Sequence, residues 1–123
     1  MGAILVTDDN VTVTEAVKSV LETAGYECNI ANSGKDCISL IQKTRFDLVL
    51  LDLEMSQMSG IGVLEKLANN DTFPYTKIVF FTGSPEFSDK EIQQLKKQYG
   101  VIDHLSKPFT TRALLKIVEK YVH

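Results

Sequence analysis

Residues 48–56 read LVLLDLEMS, four consecutive apolar residues followed by Asp52. A short, unbroken apolar run suits a strand covered on both faces, as in a parallel sheet. Ending such a run on a charge is unusual, because an ionised carboxylate is costly to bury unless something pairs with it. Asp52 is therefore either an ordinary strand-end charge reaching water or a group placed at the mouth of a sheet for chemistry. The remaining runs decide between the two.

Four other short runs punctuate the chain: AILV at 3–6, YECNIA at 26–31, IVFF at 78–81 and VIDHL at 101–105. In the second, Tyr26, Cys28 and Ile30 alternate with Glu27 and Asn29, the pattern of an edge strand with one wetter face. Between the runs the apolar period changes from two to 3.6. Val13, Ala16, Val17, Val20, Leu21 and Ala24 form one helical stripe, stopped by Gly25. Ile61, Leu64, Leu67 and Ala68 form another, and Leu114, Leu115, Val118, Tyr121 and Val122 a last one. Thr12 with Glu15, and Ser88 with Glu91, have capping-box spacing. The helix after Ser88 has only Ile92, Leu95 and Tyr99 at useful spacing, so it is expected to be the least firmly held. Strict alternation of strand and helix predicts an α/β domain with a mainly parallel sheet and right-handed crossovers.

The 123 residues fit one domain, with a core over about 3–122 and no output domain expected within the sequence. A net charge of −3 without any basic run argues against nucleic acid as a partner. No apolar run approaches the ~20 residues of a membrane span, and AILV is too short for a signal-peptide core. A cytoplasmic location with no membrane partner is the expectation. Cys28 and Cys37 are read as free thiols packed like small hydrophobes, and His104 and His123 suggest no zinc site.

In open parallel sheets, ligands bind outside the carboxyl ends of the strands. Asp52 falls there, and so do Asp8 and Asp9 in VTDDN, Thr82 in FFTGS and Lys107 in HLSKPF. If the first and third strands are neighbours, three carboxylates and one ammonium converge, leaving a local charge of about −2 at short range. A divalent cation neutralises it, and an all-oxygen ligand set favours Mg²⁺. With a phosphoryl group each part gains a role. Asp52 is a carboxylate nucleophile forming an acyl phosphate. The metal and Lys107 neutralise the non-bridging oxygens, and the Thr82 hydroxyl hydrogen-bonds one of them.

ILVTDDN, DLVLLDLEM…MSG, IVFFTG and HLSKPF resemble, in order and over nearly the whole chain, the receiver domain of two-component response regulators. The resemblance implies a flavodoxin-like (βα)5 sandwich with strand order 2-1-3-4-5. It implies Asp52 as phosphoacceptor, and Asp9, Asp52 and the Glu54 backbone carbonyl as Mg²⁺ ligands, with Asp8 assisting through water. Thr82 would be the switch hydroxyl, Lys107 the phosphate-pairing cation, and Lys107–Pro108 a cis bond. The partners implied are a histidine kinase or phosphotransfer protein and a downstream protein bound by helix four, strand five and helix five. Such a domain is not an enzyme, promoting only its own phosphorylation and dephosphorylation.

Several positions depart from the family pattern. Ser56 stands where proline is usual. Glu54 and Ser84 occupy places that adjust acyl-phosphate lifetime. His104 replaces the switch Tyr or Phe, either as a smaller ring in the same slot or as a group whose protonation tunes signalling. Two other readings compete. An aspartate-nucleophile phosphohydrolase would want D-x-D after the first strand and a cap. A flavodoxin-like docking module without phosphorylation leaves the coincidence of Asp52, Thr82 and Lys107 unexplained.

Overall fold

Each apolar run forms a strand and each 3.6-residue pattern a helix. The computed structural model describes residues 2–55, 57–67, 76–82 and 88–122, Thr82 by its backbone only. The elements are β1 (Ala3–Thr7), α1 (Val11–Thr23), β2 (Glu27–Ala31), α2 (Gly34–Lys43), β3 (Leu48–Asp52), α3 (Gly60–Leu67), β4 (Ile78–Thr82), α4 (Asp89–Tyr99), β5 (Asp103–Ser106) and α5 (Thr111–Tyr121). All four strand pairings are parallel, in the expected order β2-β1-β3-β4-β5.

The central strands are buried on both sides because successive side chains point to opposite faces. Ile4, Val6, Leu48, Leu50, Val79 and Phe81 pack against Val17 and Leu21 of α1 and Leu114 and Val118 of α5. Leu5, Val49, Leu51, Ile78 and Phe80 pack against Cys37 and Ile41 of α2 and Val63, Leu64 and Leu67 of α3, with Leu95 and Tyr99 of α4 alongside. Edge strand β2 shows the expected alternation, with Cys28 buried and Glu27 and Asn29 exposed. Cys28 and Cys37 lie in different halves of the core as free thiols. Burial pushes them up to about 12 and about 11, so neither is a reactive thiolate.

Two boundaries differ from the sequence reading. The capping box expected at Thr12–Glu15 does not form the start of α1. Asn10 is the cap, its side chain accepting from the Thr12 and Val13 amides, so Thr12 already lies in the first turn. The fifth strand runs over Asp103–Ser106 and not 101–105. Ile102 still donates its amide to the Ile78 carbonyl, so the chain enters the sheet before the regular ladder begins. Ser88 caps α4 as expected, accepting from the Glu91 amide and lying within hydrogen-bond distance of the Glu91 carboxylate. Only Ile92 of α4 is fully buried, in keeping with its thin stripe. Ala68 lies outside the described residues.

Asp103 joins the last three elements. It accepts from the Tyr121 hydroxyl at 2.7 Å and lies 4.0 Å from Lys96 of α4 and 3.8 Å from Lys120 of α5. Burial pushes its carboxyl up, but Tyr121, the His104 amide and the two lysines more than offset this and hold it below its ordinary value. A depressed carboxyl stabilises the fold above its unfolded pKa, and that contribution is lost as pH falls through the folded value. Tyr121→Phe is therefore expected to cost about 1 kcal/mol at pH 7, a difference that shrinks below pH ~4. Urea unfolding of both proteins at several pH values measures it.

Candidate functional site

The register of the sheet acts as a ruler. Thr7 is level with Leu51 and Asp52 with Phe81, so the residue after β1, Asp8, meets the last residue of β3, Asp52. Thr82 is level with Ser106, and Lys107 follows directly. Asp52 is thus the end of the strand itself, and it is buried, 4% exposed. It is not a solvated strand-end charge.

Carboxylate oxygens of Asp8, Asp9 and Asp52 lie within 4.8 Å of one another. Asp8 is 1% exposed, and both its oxygens are engaged. Oδ1 accepts from the Asn10 amide at 3.0 Å and Oδ2 from the Lys107 ammonium at 2.6 Å. Lys107 Nζ is also 3.5 Å from Asp52 Oδ1, which accepts from the Glu54 amide at 3.2 Å. Asp9 is the exposed member of the three. Lys107 stands 5.8 Å from the centroid of the Phe81 ring, which itself stacks on Phe109 at 5.1 Å. The Lys107–Pro108 bond is cis, as expected.

Gly60 closes the other side of Asp52. Its amide donates to the Leu53 carbonyl, and a Cβ there would come within 2.5 Å of the Asp52 carbonyl oxygen and 2.8 Å of Leu53 Cα. The MSG stretch of the sequence therefore has a steric reason. Only a residue without a side chain lets α3 start against the backbone of Asp52.

Burial pushes the Asp52 carboxyl up to about 6, with the neighbouring Asp8 charge adding to the rise and the Glu54 amide and Lys107 opposing it. Among the described residues, Lys107 is the ammonium shown against Asp8 and Asp52, and its one charge does not balance three acids. The donor set is all oxygen, crowded and negative, which fits a hard divalent cation such as Mg²⁺.

The profile of the response regulator receiver domain matches residues 4–119. The chain belongs to the response regulator receiver family. As a receiver it is a phosphorylation-activated switch, and the pocket of Asp8, Asp9 and Asp52 fits that family's phosphorylation site. The chain is 33% identical over 112 residues to the phosphate regulon transcriptional regulatory protein PhoB of Pseudomonas aeruginosa, covering 91% of this chain and 48% of that protein. It spans about half or about a quarter of the length of several curated relatives it matches, and 92% of the sporulation initiation phosphotransferase F of Bacillus subtilis. Among solved structures it is similar to the chemotaxis protein CheY4 of Vibrio cholerae, with 29% identity, a TM-score of 0.89 and 99% coverage of both chains. It is also similar to the response regulator TrrA of Thermotoga maritima in complex with Mg²⁺ and BeF, at 26% identity and a TM-score of 0.83, covering 99% of this chain and 100% of that one. These neighbours share the flavodoxin-like receiver fold read from the sequence.

The receiver structure brings together Asp8, Asp9, Asp52 and Lys107. The Thr82 side chain, Ser56 and Ser84 lie outside the described residues. Glu54 is exposed beyond Asp52, its amide turned to that carboxylate. His104 is partly buried on β5, and its Nδ1 is buried with no hydrogen-bond partner among the described residues. Sequence reasoning gave Asp8 only a water-mediated role and missed its direct pairing with Lys107. It also missed Asn10, Asn32 and the Phe81 ring under Lys107. An asparagine directly before a helical pattern was a readable signal for Asn10. No local signal marks the others.

A carboxyl raised in the folded state binds more protons than in the unfolded chain between pH ~4 and ~6, so stability falls as pH rises through that window. Asp52→Asn is therefore expected to stabilise the metal-free protein at pH 7 by about 1–3 kcal/mol. The gain should disappear below pH ~4 and narrow when Mg²⁺ is added. Denaturant unfolding with and without chelator measures both.

Proposed function

We propose that Asp52 is the phosphoacceptor of this receiver, taking a phosphoryl group from the phosphohistidine of a histidine kinase or phosphotransfer protein. The observation that carries the reading is the clamp of Lys107 on Asp8 and Asp52 beside Asp9, at the carboxyl ends of β1, β3 and β5. An Asp52 oxygen attacks phosphorus as the P–N bond breaks, the bonding pair leaves with the imidazole, and an acyl phosphate forms. No base is needed, because the attacking carboxylate carries no proton to remove.

Asp9 and Asp52, with the Glu54 carbonyl, would hold Mg²⁺, and Asp8 would assist through water. The ion would supply positive charge to the non-bridging phosphoryl oxygens. Lys107 rests on Asp8 and reaches Asp52 within 3.5 Å, so a small rotation of its ammonium serves the phosphoryl oxygens. Thr82 would hydrogen-bond one of them.

His104, the residue after Asp103 on β5, would follow Thr82 and change the α4-β5-α5 face presented to a downstream protein. The protein acts on no external substrate, promoting only its own phosphorylation and dephosphorylation, and works in the cytoplasm. Its partners are proteins, not nucleic acid or membrane. No described helix is long and apolar enough to cross a membrane.

Reaction with acetyl phosphate, followed by mass spectrometry, is expected to place a single phosphoryl group on Asp52 and only with a divalent cation present. Undiminished labelling of Asp52→Asn, or labelling in excess chelator, would overturn the assignment. In the same assay Lys107→Ala should bind Mg²⁺ more tightly, because a competing positive charge is removed, yet lose phosphorylation or the response to it. A sharp fall in Mg²⁺ affinity would make Lys107 an organiser of the site instead.

For His104, NMR of the ring resonances with and without beryllofluoride is expected to show a changed environment on activation. An unchanged ring would mean that the signal leaves through another element.

A further inference from the structure

The acidic turn after β1 is held from outside by a residue with no family role assigned above. Asn32, one residue beyond β2, is half-buried, and its side-chain amide donates to the Asp8 carbonyl at 2.9 Å and to Thr14 Oγ1 at 3.0 Å. Thr14 is fully buried on α1 and passes its own proton to the Val11 carbonyl at 3.1 Å. The Asp8 amide meanwhile donates to the Ala31 carbonyl at 3.1 Å. Both backbone polar groups of Asp8 are therefore bonded to the end of β2, and the amide of Asn32 also ties the turn to the first turn of α1.

The Asp8 carbonyl belongs to the peptide plane that leads into Asp9. Fixing that plane fixes where the Asp9 side chain leaves the backbone. Asp9 is the exposed carboxylate of the cluster, on a turn of two adjacent acids that repel each other. Mg²⁺ demands near-ideal octahedral geometry, and ligands held by partners behind them bind it better than ligands free to splay. We infer that Asn32 is a positioning residue for the divalent-cation site, holding the Asp8–Asp9 turn in ligating geometry through the Asp8 carbonyl, with Thr14 orienting its amide.

This inference rests on the reading of Asp8, Asp9 and Asp52 as the Mg²⁺ site, and titration calorimetry with Mg²⁺ alone separates the two. Failure of the unaltered protein to bind Mg²⁺ overturns that reading and this one with it. If the unaltered protein binds, Asn32→Ala is expected to weaken Mg²⁺ affinity about tenfold while its circular dichroism stays that of the folded protein. Affinity within about twofold of the unaltered protein would overturn the role of Asn32 alone, whatever the change in stability.

Thr14→Val should give a smaller loss, and the double variant should bind no more weakly than Asn32→Ala, because the two residues act through one amide. Additive losses would break that link. Asn32→Asp keeps the size but removes the donor and adds a negative charge. Weaker Mg²⁺ binding supports positioning, whereas tighter binding would show that charge alone governs the site. That variant decides the matter if Asn32→Ala does not fold.

Discussion

Three carboxylates crowded at the carboxyl edge of a parallel sheet, with one ammonium among them, are the constraint on which the rest of this receiver depends. Asp8 and Asp52 are almost wholly buried, and repulsion at such distances is large even in a screened medium. The fold holds them together with three devices. The Lys107 ammonium bridges Asp8 and Asp52, backbone amides of Asn10 and Glu54 donate to the same two carboxylates, and the hydrophobic core beneath fixes the strands that carry them. Among the described residues what remains unbalanced is negative charge, which suits a hard divalent cation.

The core and the site are connected through single residues. Phe81 is fully buried in the α1–α5 half of the core, yet its ring also lies under the ammonium of Lys107. Gly60 begins α3 against the backbone of Asp52, with Leu53 from the same stretch buried in the other half of the core. A shift of α3 or of β4 is therefore felt at the carboxylates without any flexible linkage between. This is the property a phosphorylation switch requires, since close-packed interiors move as units and do not deform continuously.

At the far edge of the sheet the balance is different. Of α4 only Ile92 is fully buried, and polar contacts supplement its packing: Ser88 with Glu91 at its start and Lys96 near Asp103 towards its end. Tyr121 ties α5 to the same aspartate. An element held by a thin apolar stripe and a partly exposed ion pair relies less on burial than the elements around it, and it forms one side of the α4-β5-α5 face. Asp103 makes that face a single electrostatic unit across α4, β5 and α5.

Much of this was legible in the sequence. The runs at 3–6, 48–51 and 78–81 read as strands buried on both faces because no polar residue interrupts them, and the alternation of Cys28 and Ile30 with Glu27 and Asn29 marked β2 as the edge. Strand ends carrying Asp8, Asp9, Asp52 and Lys107 pointed to one site because parallel strands bring their carboxyl ends to the same side. Local chemistry was less secure at boundaries. Asn10 is the cap in place of Thr12, because its backbone is extended just outside the helix while Thr12 already lies in the first turn.

What only the tertiary structure decided is which atoms meet. The sequence could say that Lys107 lies near the acids. It could not say that the ammonium rests on Asp8 at 2.6 Å and stands 3.5 Å from Asp52, because that follows from the register of four strands. Nor could it show Asn32 gripping the Asp8 carbonyl from 24 residues away. Hydrophobic periodicity is a property of neighbours along the chain and survives in the sequence. A hydrogen bond between distant side chain and backbone depends on the packing of every element between them, and appears only when the sheet is assembled.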